Sequence, residues 1–215
     1  LDIPSEGKLD DSLARNLIHG YYASVTYMDV LIGELIKGLD DLGLRENTTI
    51  IFWSDHGYFL GEHGFWCKHS TFEEAVKIPF IISSPKHVKN KMTASFTELV
   101  DVYPTLCDIA NIEAPNYLQG KSLMPVLEDP SKILKTEVYT RYKQGEAVID
   151  KDFSYTEFHD GEKYLGNMLY DNHKDHGQNT DISKLPTNEL LVKKYKEKLK
   201  LMRTKVNKDP FRSKE

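Results

Sequence analysis

Between Trp53 and His69 the sequence gathers two carboxylates, three imidazoles, a thiol and an ammonium: Trp53-Ser54-Asp55-His56-Gly57, then Gly61-Glu62-His63-Gly64-Phe65-Trp66-Cys67-Lys68-His69. Asp55 and His56 are adjacent, and an oxygen donor beside a nitrogen donor suits one divalent cation. Ligand chemistry leaves the metal open, because calcium prefers oxygen whereas an imidazole suits zinc or manganese better. Asp-His-Gly by itself is equally a turn, so the residues around it carry the argument. Gly57, Gly61 and Gly64 let the loop fold back tightly and bring Lys68 toward the same place. Glu62 is expected to brace that loop. His63 and His69 either fix it or touch a ligand, and His69, beside Lys68, is the better candidate for contact.

Such residues need a rigid support. Thr49-Ile50-Ile51-Phe52-Trp53 is an unbroken β-branched and aromatic run, which predicts a strand buried on both faces of a mainly parallel sheet. Asp55 and His56 then stand at its carboxyl end, where open α/β sheets bind ligands. Ile78 to Ile82 predicts a second buried strand. Upstream, Leu13, Leu17, Val25, Met28, Leu31, Leu35 and Leu39 recur at helical spacing, with an N-cap at Asp11-Ser12 and a stop at Gly43. Asp101 to Ala110 predicts a helix that tolerates Pro104 near its first turn and ends at a left-handed Asn111. Ser122 to Leu127 predicts a short helix.

Beyond Pro130 the texture changes. Glu137 to Tyr142, Ala147 to Ile149, Phe153 to Phe158 and Lys163 to Tyr170 predict short strands, with Asp160-Gly161 as a hairpin turn. A helix from about Thr187 follows, with Leu191, Tyr195, Leu199, Met202 and Val206 on one stripe. The expectation is an α/β catalytic part over 1–130, with a mainly parallel sheet flanked by helices, and a small α+β subdomain over 131–215, an antiparallel sheet with a C-terminal helix.

Several ordered blocks resemble the sulfatases of the alkaline-phosphatase superfamily, and in particular the iduronate-2-sulfatase-like branch. They are Gly20-Tyr21-Tyr22-Ala23-Ser24-Val25-Thr26-Tyr27-Met28-Asp29, Ser54 to Gly57, Leu60 to Lys68, Phe72-Glu73-Glu74-Ala75, Ile78-Pro79-Phe80-Ile81-Ile82 and Glu98 to Leu106. The resemblance implies an alkaline-phosphatase-like fold, Asp55 and His56 as ligands of a divalent cation, calcium, and Lys68 as the group that holds the sulfate ester and stabilises the departing sugar oxygen. His69 joins Lys68 in binding substrate. Sulfatases of this kind carry a Cys-x-Pro-Ser-Arg or Ser-x-Pro-x-Arg segment whose first residue becomes the formylglycine nucleophile. Neither pattern occurs in this sequence: Lys68-His69-Ser70 follows Cys67, and Asp108-Ile109-Ala110 follows Cys107. The expectation is therefore the C-terminal portion of a longer enzyme, whose N-terminal portion is its first partner and supplies the formylglycine.

The implied reaction is hydrolysis of a sulfate ester on a sugar, with the 2-O-sulfated uronate of glycosaminoglycan oligosaccharides as the leading substrate. The resemblance also implies an extracytoplasmic location, periplasmic, secreted or lysosomal. Two rival readings stand beside it: a phosphodiesterase or phosphonate monoester hydrolase of the same superfamily, and a catalytically silent sulfatase-like subunit. A net charge of −5 argues against nucleic acid as a partner, and the lysines between Lys193 and Lys200 read as a solvated helix face. No apolar stretch reaches the roughly 18 residues of a membrane span. Two cysteines make no disulfide framework. His173-Lys174-Asp175-His176 reads as a structural turn rather than a metal site.

Overall fold

The computed structural model describes residues 9–206. Two compact units form: one from the chain up to Lys68 together with Lys77–Lys86, the other from His69–Val76 together with the chain from His87 onward. By compactness, residues 87–130 thus belong with the antiparallel sheet rather than with the site loop.

In the first unit the long helix α1 runs Asp11–Asp41. Its cap is Asp10, one residue before the expected pair. Asp10 has the extended backbone that a cap needs, and its Oδ1 accepts from the amides of Ser12 and Leu13 at 2.9 and 3.0 Å. Gly43 closes the helix with φ 67°, as expected. Strand β1, Ile50–Trp53, leads into the site loop. That loop folds as a ribbon of β2, Phe59–Leu60, against β3, Trp66–Cys67.

The neighbour of β1 is β4, Phe80–Ser83, and the pairing is antiparallel, with Ile50 opposite Ser83 and Trp53 opposite Phe80. The expected parallel arrangement is not seen among the described strands. An apolar run reports burial tendency and carries no information on strand direction. Within the described residues these strands are not buried on both faces: Phe52, Trp53 and Ile81 are 38%, 42% and 57% exposed. Among the described residues β1 and β4 pair with no other strand, and Ile50, Ile51, Phe80 and Ile82 are partly buried.

In the second unit α2, Glu73–Val76, is a single turn. Helix α3, Val102–Ile109, follows a tight turn over Leu99–Asp101, holds Pro104 in its first turn and ends at Asn111 with φ 54°. Helix α4 spans Met124–Glu128. Strands β5 (Glu137–Tyr142), β6 (Gly145–Asp150), β7 (Phe153–Asp160) and β8 (Lys163–Asp171) form one antiparallel sheet in chain order. Gly161, at φ 58°, makes the expected turn between the last two. Helix α5, Glu189–Val206, packs across β6 and β7. Tyr195 and Leu199 fill the core with Val148, Tyr155 and Leu169, while Leu191 and Met202 flank it. The expected apolar stripe is thus the docking face; the side chain of Val206 lies outside the described residues.

Asp150 ties helix to sheet, accepting from the Tyr195 hydroxyl at 2.7 Å and from Lys198 Nζ at 2.5 Å. His173 donates into a structural contact with Asp152 at 2.8 Å, and Asp171 caps the amides of His173 and Lys174. Both cysteines are free. No helix among the described residues is long and apolar enough to cross a membrane.

Candidate functional site

Where β1 ends, the chain is held by its own polar groups. The Ser54 hydroxyl donates to the His56 carbonyl at 2.6 Å, and the Ser54 amide to the Pro79 carbonyl at 3.4 Å. His56 Nδ1 lies 2.7 Å from the Gly57 carbonyl, which can only accept, so Nδ1 carries the proton and Nε2 presents a lone pair. Lys68 Nζ donates to that Nε2 at 2.8 Å. Asp55 Oδ1 stands 3.5 Å from the same nitrogen, and its side chain is 79% exposed. The sequence-derived trio of Asp55, His56 and Lys68 thus converges on one imidazole edge.

The fold-back depends on left-handed backbone. Gly61 at φ 115° and Gly64 at φ 73° take it at little cost, whereas His63 at 55° and Cys67 at 71° adopt it without that freedom. Glu62 Oε2 accepts from the Leu60 amide at 2.6 Å, the bracing expected of it. Phe59, fully buried, receives the His63 and Phe65 rings edge-on at 6.2 and 5.6 Å, which places His63 inside the loop. His69 belongs to the other unit, where its ring stacks on Tyr142 at 5.4 Å with 17° between the planes.

The donor set fits a divalent cation. One exposed carboxylate and one imidazole nitrogen are two donors of the kind such ions take, once Lys68 releases the Nε2 lone pair. Among the described residues no group of three or more His, Cys, Asp and Glu side chains assembles a metal site.

Residues 4–112 match the model of the sulfatase family. The chain belongs to the sulfatase family. Residues 61–205 also match the model described as N-sulphoglucosamine sulphohydrolase, C-terminal. An N-acetylglucosamine-6-O-sulfatase of Bacteroides thetaiotaomicron is 43% identical over 119 residues, covering 55% of this chain and 21% of that protein. Mouse iduronate 2-sulfatase is 32% identical over 134 residues, 51% of this chain and 24% of its own length. A structure solved in complex with its substrate D-glucosamine-2-N,6-O-disulfate superposes with a TM-score of 0.82 at 29% identity, over 91% of this chain and 42% of that one. The chain thus spans about a quarter of the length of these two curated sulfatases.

Sequence reasoning passed over one feature of this sulfatase chain. Tyr58 stacks on Tyr21 at 5.1 Å and donates to Cys67 Sγ at 3.5 Å. The hydrogen bond with Cys67, followed by burial, raises the Tyr58 pKa above that of an ordinary phenol. With Trp66, Leu17 and Gly20 these residues line a cavity of about 270 Å³. The available signal was position, since Tyr58 lies two residues after His56 and Cys67 immediately precedes Lys68.

Proposed function

We propose that this chain supplies the cation ligands and the sulfate-holding lysine of a hydrolase that removes sulfate from sulfated sugars. The observation that carries the reading is the 2.8 Å contact between Lys68 Nζ and His56 Nε2, beside Asp55, in a chain of the sulfatase family.

Asp55 and His56 would hold a divalent cation, calcium in this reading. When bound, such an ion polarises a sulfate oxygen and favours the ionised nucleophile. The nucleophile itself, a formylglycine, lies outside the present sequence.

Lys68 has three N–H donors: one goes to His56 while Nε2 carries no cation, and all three are released to the ester once a cation takes that nitrogen. Its ammonium can bind the ester sulfate and follow negative charge onto the sugar oxygen as the S–O bond breaks, which stabilises the transition state more than the bound ester. Asp55 offsets the positive charge of the pocket, and the Nδ1 bond to Gly57 keeps the imidazole from turning. His69 contacts the saccharide.

The substrate class is a glycosaminoglycan-type sugar. Relatives acting on 6-O-sulfated glucosamine and on iduronate 2-sulfate support that class, and the 2-O-sulfated uronate remains the first position to assay. An extracytoplasmic location goes with it.

The test is a substrate panel on the natural protein: 2-O-sulfated uronate and 6-O-sulfated glucosamine oligosaccharides, an aryl sulfate, an aryl phosphodiester and a phosphonate monoester. Release of sulfate from a sugar, with kcat/KM at least about a hundredfold above the phosphorus esters, is expected. Preference for the phosphonate would replace the reading with phosphoryl chemistry, and no turnover of any ester would mark a silent family member.

A further inference from the structure

His69, Thr71, Phe72 and Glu73 are each fastened to the antiparallel sheet unit. The His69 ring lies flat on Tyr142, at the end of β5. Thr71, 7% exposed, shares a hydrogen bond with Thr156 of β7 at 3.3 Å. Phe72 packs its ring 5.7 Å from that of Tyr170 in β8. The Glu73 amide, first in α2, donates to Gln178 Oε1 at 2.9 Å, and Gln178 is 2% exposed. A buried amide side chain makes its hydrogen bonds or costs stability, so Gln178 fixes Glu73 in one place. The Gln178 backbone, at φ 50°, is itself held by its amide bond to the Asp175 carbonyl at 3.0 Å.

Four anchors thus fall on the five consecutive residues 69–73. They do what a substrate-contacting side chain needs: ring plane and chain position are set before substrate arrives, so binding orders less. We propose that Tyr142 and Gln178 are positioning residues that act through His69, Tyr142 by setting the imidazole plane and Gln178 by anchoring the chain behind it. This rests on the reading that His69 contacts the saccharide.

The test compares Tyr142→Leu, Tyr142→Phe, Gln178→Met and Gln178→Glu with His69→Ala, in the natural protein and with the best sugar sulfate of the panel. Hydrogen exchange of residues 69–76 is measured alongside kinetics. Tyr142→Leu and Gln178→Met are expected to speed exchange in that segment and to raise KM about three- to tenfold with kcat within about twofold. Phe keeps the ring and Glu keeps the acceptor oxygen, so both should stay near the parent values. In a His69→Ala background, Tyr142→Leu should add less than about twofold to KM.

Faster exchange with unchanged KM in Tyr142→Leu, while His69→Ala raises KM, would overturn the positioning role and leave the His69 contact standing. An unaltered KM in His69→Ala would instead sink the contact. Unchanged exchange in both Tyr142→Leu and Gln178→Met would overturn the anchoring itself. A melting profile on each variant separates these outcomes from global unfolding, and the Tyr142 pair, at a half-buried strand end, decides if Gln178→Met fails to fold.

Discussion

Lys68 and His56 are joined by a hydrogen bond of 2.8 Å across the mouth of the site loop, with the lysine as donor and Nε2 as acceptor. That bond keeps the ammonium beside His56 and Asp55 until a cation takes Nε2. If the ammonium then follows charge onto the leaving oxygen, Lys68→Ala should lower turnover of a sugar sulfate by about a hundredfold or more. An aryl sulfate leaves more easily and should lose less. Steady-state kinetics on both esters checks this, and equal losses would make Lys68 a uniform binding contact.

The same lone pair of His56 serves either Lys68 or a cation, never both at once. If Asp55 and His56 hold a cation, Asp55→Asn removes its carboxylate ligand and should weaken calcium binding at least about tenfold. Lys68→Met removes the competitor and should tighten it. Calorimetric titration of calcium into the metal-free natural protein reads both; an unaltered affinity in Asp55→Asn would remove Asp55 from the ligand set.

What the sequence made legible divides along a physical line. Local signals survived: the β5 to β8 strands, the Asp160-Gly161 turn, the stop at Asn111 and the stripe on α5 are all present, because turn chemistry and periodicity act within a few residues. Convergence of Lys68 on His56 was legible from the glycines between them. Strand direction was not, and β1 pairs antiparallel with β4. Nor were Tyr142 and Gln178, whose partners His69 and Glu73 are brought to them only by the fold; the Glu73–Gln178 pair is separated by 105 residues.

The uncovered apolar faces predict association. Phe52, Trp53 and Ile81 lie exposed on β1 and β4, and Tyr22, Val25, Met28 and Leu35 lie exposed along α1. Large contiguous apolar patches are rare on monomers and mark sites of association. The 215-residue chain produced alone should bind a hydrophobic dye and elute as an associated species in size-exclusion chromatography. A monodisperse monomer without dye binding would show these faces to be tolerated.

Asp150 should make docking of α5 acid-sensitive. Burial opposes its ionisation, but Lys198, the amides of Phe153 and Asp152 and the Tyr195 hydroxyl outweigh it and hold the carboxyl below its usual range. A carboxylate with a depressed folded-state pKa contributes stability that is present above the unfolded value, about 3.9, and is lost as pH falls through the folded one. Stability should therefore drop below about pH 4 by a component missing from Asp150→Asn, which at neutral pH should itself be less stable by about 2 kcal/mol. Denaturant melts of both proteins at pH 7 and pH 3 measure the difference.

The tightest backbone approach gives the last prediction. A Cβ placed on Gly120 would stand 1.9 Å from the Val100 carbonyl oxygen and 2.9 Å from the Asp101 amide nitrogen. Neither atom can rotate away, because both are main chain, and the neighbouring contacts bar retreat. The Lys121 amide donates to Asp101 Oδ1 at 2.7 Å, the Glu98 amide to Oδ2 at 2.9 Å, and Lys135 Nζ reaches both oxygens of this fully buried carboxylate. Gly120→Ala must therefore either push the connector off Asp101 or strain the turn before α3. It should cost about 3 kcal/mol, the upper range for overpacking, although it adds only a methyl group. Ala at Gly161, a turn glycine with nothing within 4 Å of its Cβ, is the control. Its left-handed φ of 58° should cost only about 1 kcal/mol. Equal melting temperatures for the two variants would show that the connector yields where the structure has it fixed.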